Sequence, residues 1–427
     1  MRIVYLHQYF LTPDQSGGIR SYQFARALTA RGHDVHVVTA TPPTASCVDP
    51  GASPRADRGR FATEVVDGIT VHRLPVPYDN GMGDLRRMAA FCSFALRAVG
   101  RARGLGGDVV VATSTPLTIA LPGIGATIGR RTPMVFEVRD VWPEVPIALG
   151  SLRNPVQRFA ARTLERLAYL ASSTVVALSP GMADSVVATG HPRERTEIVT
   201  NISDLERFDP SRADAEAFLS RHPRLRGRRL AVYSGTFGRA NGLVHLVEVA
   251  RHLRELGSDL CIVLLGSGAE KARVRARAAE LGVLDDELVV LDPVAKADLP
   301  DVLAAATVAL SSFVDVPALE SNSANKYFDA LAAHRPVVVN HGGWQADALA
   351  ETGAGIRIAR DPARAARELA AFVDDADAVA RASVAAGRLA AERHSLELLS
   401  EKFCDIVERD GMEARASRGS RLQALRN

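Results

Sequence analysis

Short runs of valine, isoleucine and leucine punctuate the chain, and helix-length segments separate them. The runs fall at 2–6, 34–40, 69–74, 108–113, 134–138, 174–178 and 197–200. They resume at 230–234, 260–266, 288–291, 308–312, 336–340 and 355–358. Most are continuously apolar rather than alternating, which is the pattern of parallel strands covered on both faces. Strand and helix in turn define an α/β class with doubly wound parallel sheets. The series restarts near Leu230, and 427 residues suit two units of roughly 200 residues each.

The expected organisation is a Rossmann-like domain over 1–208, an Arg- and Pro-rich junction over 209–229 and a second Rossmann-like domain over 230–409. The final helix of the second domain can return to the first lobe. The tail 410–427 carries Arg415, Arg418, Arg421 and Arg426 with little apolar content, and is expected to be disordered. Ligands of open parallel sheets bind at the carboxyl ends of the strands, so a site is expected in the cleft between two facing sheets.

Composition narrows the classes. Hydrophobic residues make up 47% and charged residues 24%, and no stretch reaches the roughly 18 consecutive apolar residues of a membrane span. The opening MRIVYLHQYF runs directly into a strand pattern, so no signal peptide is expected. Cys47, Cys92, Cys261 and Cys404 lie far apart, against a zinc site or disulfide framework and for a reducing cytosol. A net charge of +3 does not imply nucleic acid. Only four of the 52 basic residues are lysines: Lys271, Lys296, Lys326 and Lys402. A lysine kept where arginine is otherwise preferred suggests a need for a compact ammonium, and Lys326, in a segment of small residues, fits that need best.

Five segments carry candidate chemistry. The first strand ends at His7, and Gly17 and Gly18 open the helix that follows, so backbone N–H groups can approach an anion. The alternative is a glycine turn with no ligand. Phe136-Glu-Val-Arg-Asp-Val-Trp-Pro-Glu144 brings Arg139, Asp140, Trp142 and Glu144 to a strand tip, a set suited to a sugar-like ligand. The alternative is a surface Arg–Asp pair beside a packing Trp. Tyr233-Ser-Gly-Thr-Phe-Gly-Arg239 places Gly235 and Arg239 in a strand–loop–helix turn where a cation can meet a phosphate. The alternative is a capped turn with a solvated Arg. Gly266-Ser-Gly268 has the same grammar but does not complete a dinucleotide fingerprint.

The fifth segment runs from Val316 through Glu320, Ser321, Ser323 and Asn325 to Lys326 and Asp329. A cation and free N–H groups at a helix start suit a diphosphate, and a carboxylate one turn on suits a ribose diol. The alternative is an i,i+3 ion pair behind a capped helix start.

In this order the segments resemble the retaining glycosyltransferases of family four, with a GT-B fold. The resemblance spans nearly the whole chain, including Ser179–Met182, Asn201–Asp204, Gly266–Gly268 and the segment around Asp329. It is strongest toward bacterial enzymes of O-antigen, capsule and colanic-acid assembly, including amino-deoxyhexose transferases. It implies a nucleotide-sugar donor on the C-terminal lobe, contacted by Gly17, Gly18, Gly235, Gly266, Glu320, Ser321, Ser323, Asn325 and Asp329. It implies a glycan or lipid-linked acceptor on the N-terminal lobe, near His7, Arg139, Trp142 and Glu144. Catalytic roles are expected for Arg239, Lys326 and Asp140.

The chain departs from the family in places. The usual pair of glutamates eight apart falls on Ser321 and Asp329, and the usual Arg and Lys phosphate ligands fall near Thr236 and Asn241. The phosphate role therefore moves to Arg239 and Lys326, and the frequent acceptor-side His is replaced by Arg139 or Asp140. Asp375-Ala-Asp377 has the spacing of a metal-binding DxD but reads as a helix start, so no metal and no cofactor beyond the nucleotide-sugar substrate, expected to be UDP-linked, is anticipated.

The expected activity is transfer of a hexose, N-acetylhexosamine or amino-deoxyhexose to a lipid-linked or cell-surface polysaccharide precursor. The alternatives are a nucleotide-sugar epimerase of the same fold and a catalytically silent sugar-nucleotide-binding subunit.

The expected location is the cytoplasm, with peripheral contact to the inner face of an anionic membrane. That contact is read from the segment after Asp84. At about 100° per residue, Leu85, Met88, Phe91, Cys92, Leu96 and Val99 share one helix face, taken as the core contact. Arg86, Arg87, Arg97 and Arg101 lie opposite with Phe94 among them, which suggests a basic, aromatic-tipped lipid contact. A Phe94 tucked under a loop is the alternative.

Overall fold

The structure is a computed structural model that describes residues 1–13, 15, 18–41, 61–76 and 84–424. It divides into two compact units, one of residues 1–200 together with the segment from Glu397 onward, the other of residues 201–396.

The first unit holds an eight-stranded sheet of β1 (Arg2–Leu6), β2 (Asp34–Ala40), β3 (Ala62–Val66), β4 (Ile69–Leu74), β5 (Val109–Thr113), β6 (Met134–Val138), β7 (Thr174–Ala177) and β8 (Thr196–Ile198). Its order is β3-β4-β2-β1-β5-β6-β7-β8. Every pairing is parallel except β3 with β4. Four of the five residues of β1 and all five of β5 and β6 are buried, as expected of strands covered on both faces. The expected strands of this half are all present within a residue or two. Strand β3 is an addition. It is an edge strand that alternates half-buried and exposed, with Val65 open to solvent, so it lacks the apolar run that marks the others.

The second unit holds six parallel strands, β9 (Leu230–Ser234), β10 (Cys261–Leu265), β11 (Leu288–Leu291), β12 (Val308–Ser311), β13 (Val337–Val339) and β14 (Gly355–Arg357), in the order β11-β10-β9-β12-β13-β14. Successive residues feed different cores. Leu230, Val232, Cys261, Val263 and Leu265 join one cluster, and Ala231, Tyr233, Ile262 and Leu264 join the other. That division is what doubly wound means at the level of side chains. The fold class matches the expectation.

Three expectations are corrected. The segment 209–229 is not a free junction: it forms the helix Ala215–Arg221, and Phe208, Phe218 and Leu225 enter a core cluster of the second unit. The tail expected to be disordered is helical through Ala424, as part of the helix Leu396–Ala424. Its Phe403 stacks on Phe24 at 4.3 Å, and its buried Asp410 accepts from Thr174 Oγ1 at 3.0 Å. Arg415, read as a tail charge, pairs with Asp108 at 2.7 Å. Gly411 allows that approach, because a Cβ there would lie 2.7 Å from Met1 Sδ and 2.8 Å from Val109 Cγ2.

The third correction inverts the helix Asp84–Leu105. Phe94 is 1% exposed and packs inward with Ala90, Ala95, Ala98 and Ala102. Met88 and Leu96, read as core, are exposed, Leu96 by 77%. Alanines give a helix its closest approach to a neighbour, so the small-residue face is inside and a wheel weighted by large apolar residues picks the wrong side.

Phe403→Ala should destabilise the first unit by about 3–5 kcal/mol, the usual cost of removing a buried aromatic ring. The denaturant midpoint reports it, and a change under about 1 kcal/mol would mean the C-terminal helix is not docked in solution.

Candidate functional site

The polar residues of each unit collect at the carboxyl ends of its strands. In the first unit the centre is an ion pair that the sequence reading passed over. Glu137, in β6, and Arg20, at the start of the helix Arg20–Ala30, are both fully buried and meet at 2.7 Å. Arg20 also donates to the backbone oxygens of Val199, at 2.8 Å, and Thr200, while Thr113 donates to the other Glu137 oxygen. Burial alone would raise the Glu137 pKa, but the charges of Arg20 and Arg139 and the bonds from Thr113 and Arg20 hold it below the ordinary value. Burial lowers the Arg20 pKa, and the Glu137 carboxylate opposes that. The signal was a glutamate inside a wholly apolar strand, since a buried charge needs a partner.

His7 and Arg139 adjoin this pair. Arg139 Nη1 lies 3.3 Å from His7 Nε2, and Arg139 N donates to Ser114 Oγ at 3.0 Å. Burial, then the Arg139 charge, hold the His7 pKa well below its usual value, so the ring is neutral. A guanidinium can only donate, so Nε2 accepts and the His7 proton sits on Nδ1, a buried atom with no partner among the described residues. Asp140 accepts from Thr115 Oγ1. Trp142 is half-buried. Glu144 is exposed and pairs with Arg162 at 3.1 Å, away from the His7–Arg139 contact. Gly18 precedes the helix that carries Arg20; Gly17 lies outside the described residues.

In the second unit the centre is Lys326, in the first turn of the helix Asn325–Ala332. Its Nζ lies 4.8 Å from the Tyr233 ring centroid and 5.7 Å from that of Phe313, and donates to Asn241 Oδ1 at 3.2 Å. No carboxylate pairs with it among the described residues. Burial lowers its pKa to about 8, with the Asp329 charge opposing. The helix start has no side-chain cap, and Ser323 Oγ beside it is buried without a partner. Gly235 lies against the lysine stem, where a Cβ would stand 3.0 Å from Lys326 Cε.

Asn241, at a position where the resemblance places a basic phosphate ligand, holds Lys326 instead: its Nδ2 donates to Thr236 O at 2.9 Å and its Oδ1 receives the ammonium. Arg239 is exposed nearby, with no ion pair among the described residues. Asp329 is not the partner of Lys326. Its Oδ2 takes Lys296 Nζ at 2.6 Å.

Gly266 is required by the loops themselves. A Cβ there would fall 1.9 Å from Gly235 O, and Phe237 N donates to Ser267 O at 2.8 Å. Glu320 packs on Gly342, and Ser321 and Asn325 stand either side of the Ser323 turn, Asn325 exposed.

Residues not singled out from the sequence complete this rim. His341 Nδ1 donates to Gly342 O at 2.8 Å, and its Nε2 is buried without a partner. Burial takes its pKa down to about 4, helped by the charges of Arg360, Lys326 and Arg357, so the ring is neutral and Nε2 is an acceptor. Ser311 Oγ, Ser312 Oγ and Asn340 Nδ2 are likewise buried and unpaired. Buried polar atoms are almost always satisfied, so these atoms, unpaired among the described residues, make the rim a candidate site for a polar ligand. Asp375 caps the helix Ala376–Arg393, accepting from Ala378 N at 2.8 Å, as its sequence position suggested.

Comparison with known proteins identifies the family and the fold. Residues 17–201 match the family described as glycosyl transferase 4-like domain, and residues 228–375 match glycosyl transferases group 1. A protein of Escherichia coli (strain K12) named as the colanic acid biosynthesis glycosyl transferase WcaI is 25% identical over 280 residues, 62% of this chain and 66% of its own length. Among solved structures, Anabaena Alr3699/HepE in complex with UDP and glucose aligns with a TM-score of 0.71 at 16% identity, covering 96% of this chain and all of that one. Sucrose-phosphate synthase from Thermosynechococcus elongatus aligns with a TM-score of 0.74 at 13% identity, covering 96% and 98%.

Glu137→Leu strands a buried guanidinium and should cost about 3–5 kcal/mol, whereas Glu137→Leu with Arg20→Met removes both charges and should recover part of the loss. A double-mutant cycle in denaturant measures the coupling, and additive costs would contradict the pairing.

Proposed function

The chain belongs to the glycosyltransferases, joining a glycosyl transferase 4-like half to a group 1 half, and on that premise we propose that it moves a sugar from a nucleoside diphosphate, UDP in the first instance, to a lipid-linked or cell-surface polysaccharide precursor. The observation that carries this reading is Lys326: an ammonium over two aromatic rings, at an uncapped helix start, with no carboxylate of its own. A diphosphate supplies the missing anion, and the N–H groups of the helix start supply further donors. Asp329, steadied by Lys296, offers Oδ1 to a ribose hydroxyl. The neutral His341 Nε2 can accept from a sugar hydroxyl.

The catalytic task is to stabilise charge developing on the β-phosphate as the glycosidic bond breaks. Lys326, Arg239 and the helix dipole do this without a metal in the proposed mechanism. The acceptor hydroxyl attacks from the leaving-group face, a phosphate oxygen takes its proton, and the anomeric configuration is retained. The acceptor is read onto His7, Arg139, Asp140 and Trp142 of the first unit. The colanic acid relative and the Anabaena complex with UDP and glucose support this donor and acceptor class.

Lys326→Ala and Arg239→Ala should each lower turnover about a hundredfold, near 3 kcal/mol, as for the loss of one preorganised donor to a developing anion. The parent rate should be unchanged in EDTA. Wild-type turnover in both variants, or abolition by EDTA, would reject the mechanism.

The pKa of Lys326 gives a pH dependence with a definite sign. The group is an ammonium below about pH 8 and loses its proton above that value. UDP affinity measured by calorimetry should therefore be highest below pH 8 and fall as pH rises through it, and Lys326→Arg should remove that step. An affinity flat from pH 7 to about pH 9.5 in the parent protein would contradict a direct ammonium–phosphate contact.

A further inference from the structure

The first unit leaves an apolar surface open on the side of its sheet covered by the helices Asp84–Leu105, Ala120–Thr127 and Pro155–Leu170, which pack side by side. The helix Pro155–Leu170 buries Ala168 and Tyr169, with the Tyr169 ring 6.0 Å from that of Phe136 in β6. At about 100° per residue, Val156, Phe159, Leu167 and Leu170 fall on the opposite side within one arc of about 100°. All four are exposed, Phe159 by 74% and Val156 by 71%. The stripe runs about 21 Å along the helix. Ile128, just past the helix Ala120–Thr127, and Leu96, on the helix Asp84–Leu105, are exposed as well, on the helices that pack in series with it. Isolated exposed leucines are ordinary, but an aligned stripe over four helical turns is not.

The rim of this surface is cationic. Arg97, Arg130, Arg153 and Arg166 are exposed on these helices and beside their ends, and Arg162 balances Glu144. The acidic groups beside it are muted. Glu144 is paired with Arg162, and Glu165, behind the stripe, accepts from the Tyr169 hydroxyl at 3.1 Å, where burial and the Glu144 charge lift its pKa to about 7. A second copy of the chain is a poor occupant, because a self-complementary contact would set like-charged rims against each other. An anionic bilayer is complementary in both respects: its acyl boundary receives the aromatic and leucine side chains, and its phosphates receive the guanidinium groups.

We propose that the exposed face of the helix Pro155–Leu170, with Leu96 and Ile128 beside it, docks the first unit on the surface of an anionic membrane. It replaces the Phe94-centred contact expected from the sequence, and it stands on the first unit alone, independent of which donor the second unit holds. Docking here would bring the strand ends of the first unit to acceptors anchored in lipid.

The test is co-sedimentation of the full chain with vesicles of phosphatidylcholine alone and with phosphatidylglycerol added, at low and high salt. The chain should sediment with the phosphatidylglycerol vesicles, release at high salt and leave the neutral vesicles nearly bare. Phe159→Ser with Leu167→Ser should reduce binding about tenfold or more, and Arg153→Ser, Arg162→Ser and Arg166→Ser together should remove the preference for anionic vesicles. These side chains are exposed, so the thermal unfolding midpoint should not move, which separates lost docking from lost fold. Absence of binding, equal binding to both vesicles, or unchanged binding in the Phe159/Leu167 variant would overturn the proposal. A concentration-dependent dimer that Phe159→Ser abolishes would assign the face to a second copy and overturn it as well.

Discussion

Glu137 lies in a strand whose five residues are all buried, and the Arg20 guanidinium at 2.7 Å is what allows a carboxylate there. Ionised groups in such an interior are tolerated only when paired and fully hydrogen-bonded. Here one pair ties the first helix to β5, β6 and the chain after β8, through Thr113, Val199 and Thr200. The same constraint explains where the rest of the chemistry lies. Strands covered on both faces have no room for charge along their length, so the remaining polar groups are pushed to their carboxyl ends. His7, Arg139 and Asp140 gather there in the first unit, and Lys326, Asn340 and His341 in the second.

The second unit departs from its family's pattern in a coherent way. A carboxamide at Asn241 in place of a cation would remove a phosphate ligand, yet its oxygen receives the Lys326 ammonium and its nitrogen is anchored on Thr236 O. A positive charge thus stands beside this loop, supplied by the helix Asn325–Ala332. Asp329 is held by Lys296 at 2.6 Å rather than by Lys326.

What could be read from the sequence followed from burial. Parallel strands write continuous apolar runs, so both sheets were legible to within a residue or two, and the edge strand β3 was not. The Lys326 helix start was legible because the lysine and the small polar residues before it, Ser321, Ser323 and Asn325, are local in sequence. The Lys296–Asp329 contact was not, since its partners are 33 residues apart and meet only through the fold. The return of the final helix to the first unit was expected, but its continuation past Asp410 was misread as disorder, because buried Asp410 and the Arg415–Asp108 pair, which tie that stretch down, are not visible in its charged composition. The helix Asp84–Leu105 was read inside out because its buried face is built of alanine.

The central claim is that the second unit grips a nucleotide by its terminal phosphate through Lys326. Calorimetric titration of UDP, UMP and uridine against the parent protein and Lys326→Met tests it most directly. The account predicts that UDP binds the parent at least about tenfold more tightly than UMP, a difference of about 1.4 kcal/mol, and that the discrimination collapses in Lys326→Met. Equal affinity of the parent for UDP and UMP, or discrimination undiminished in the variant, would contradict it.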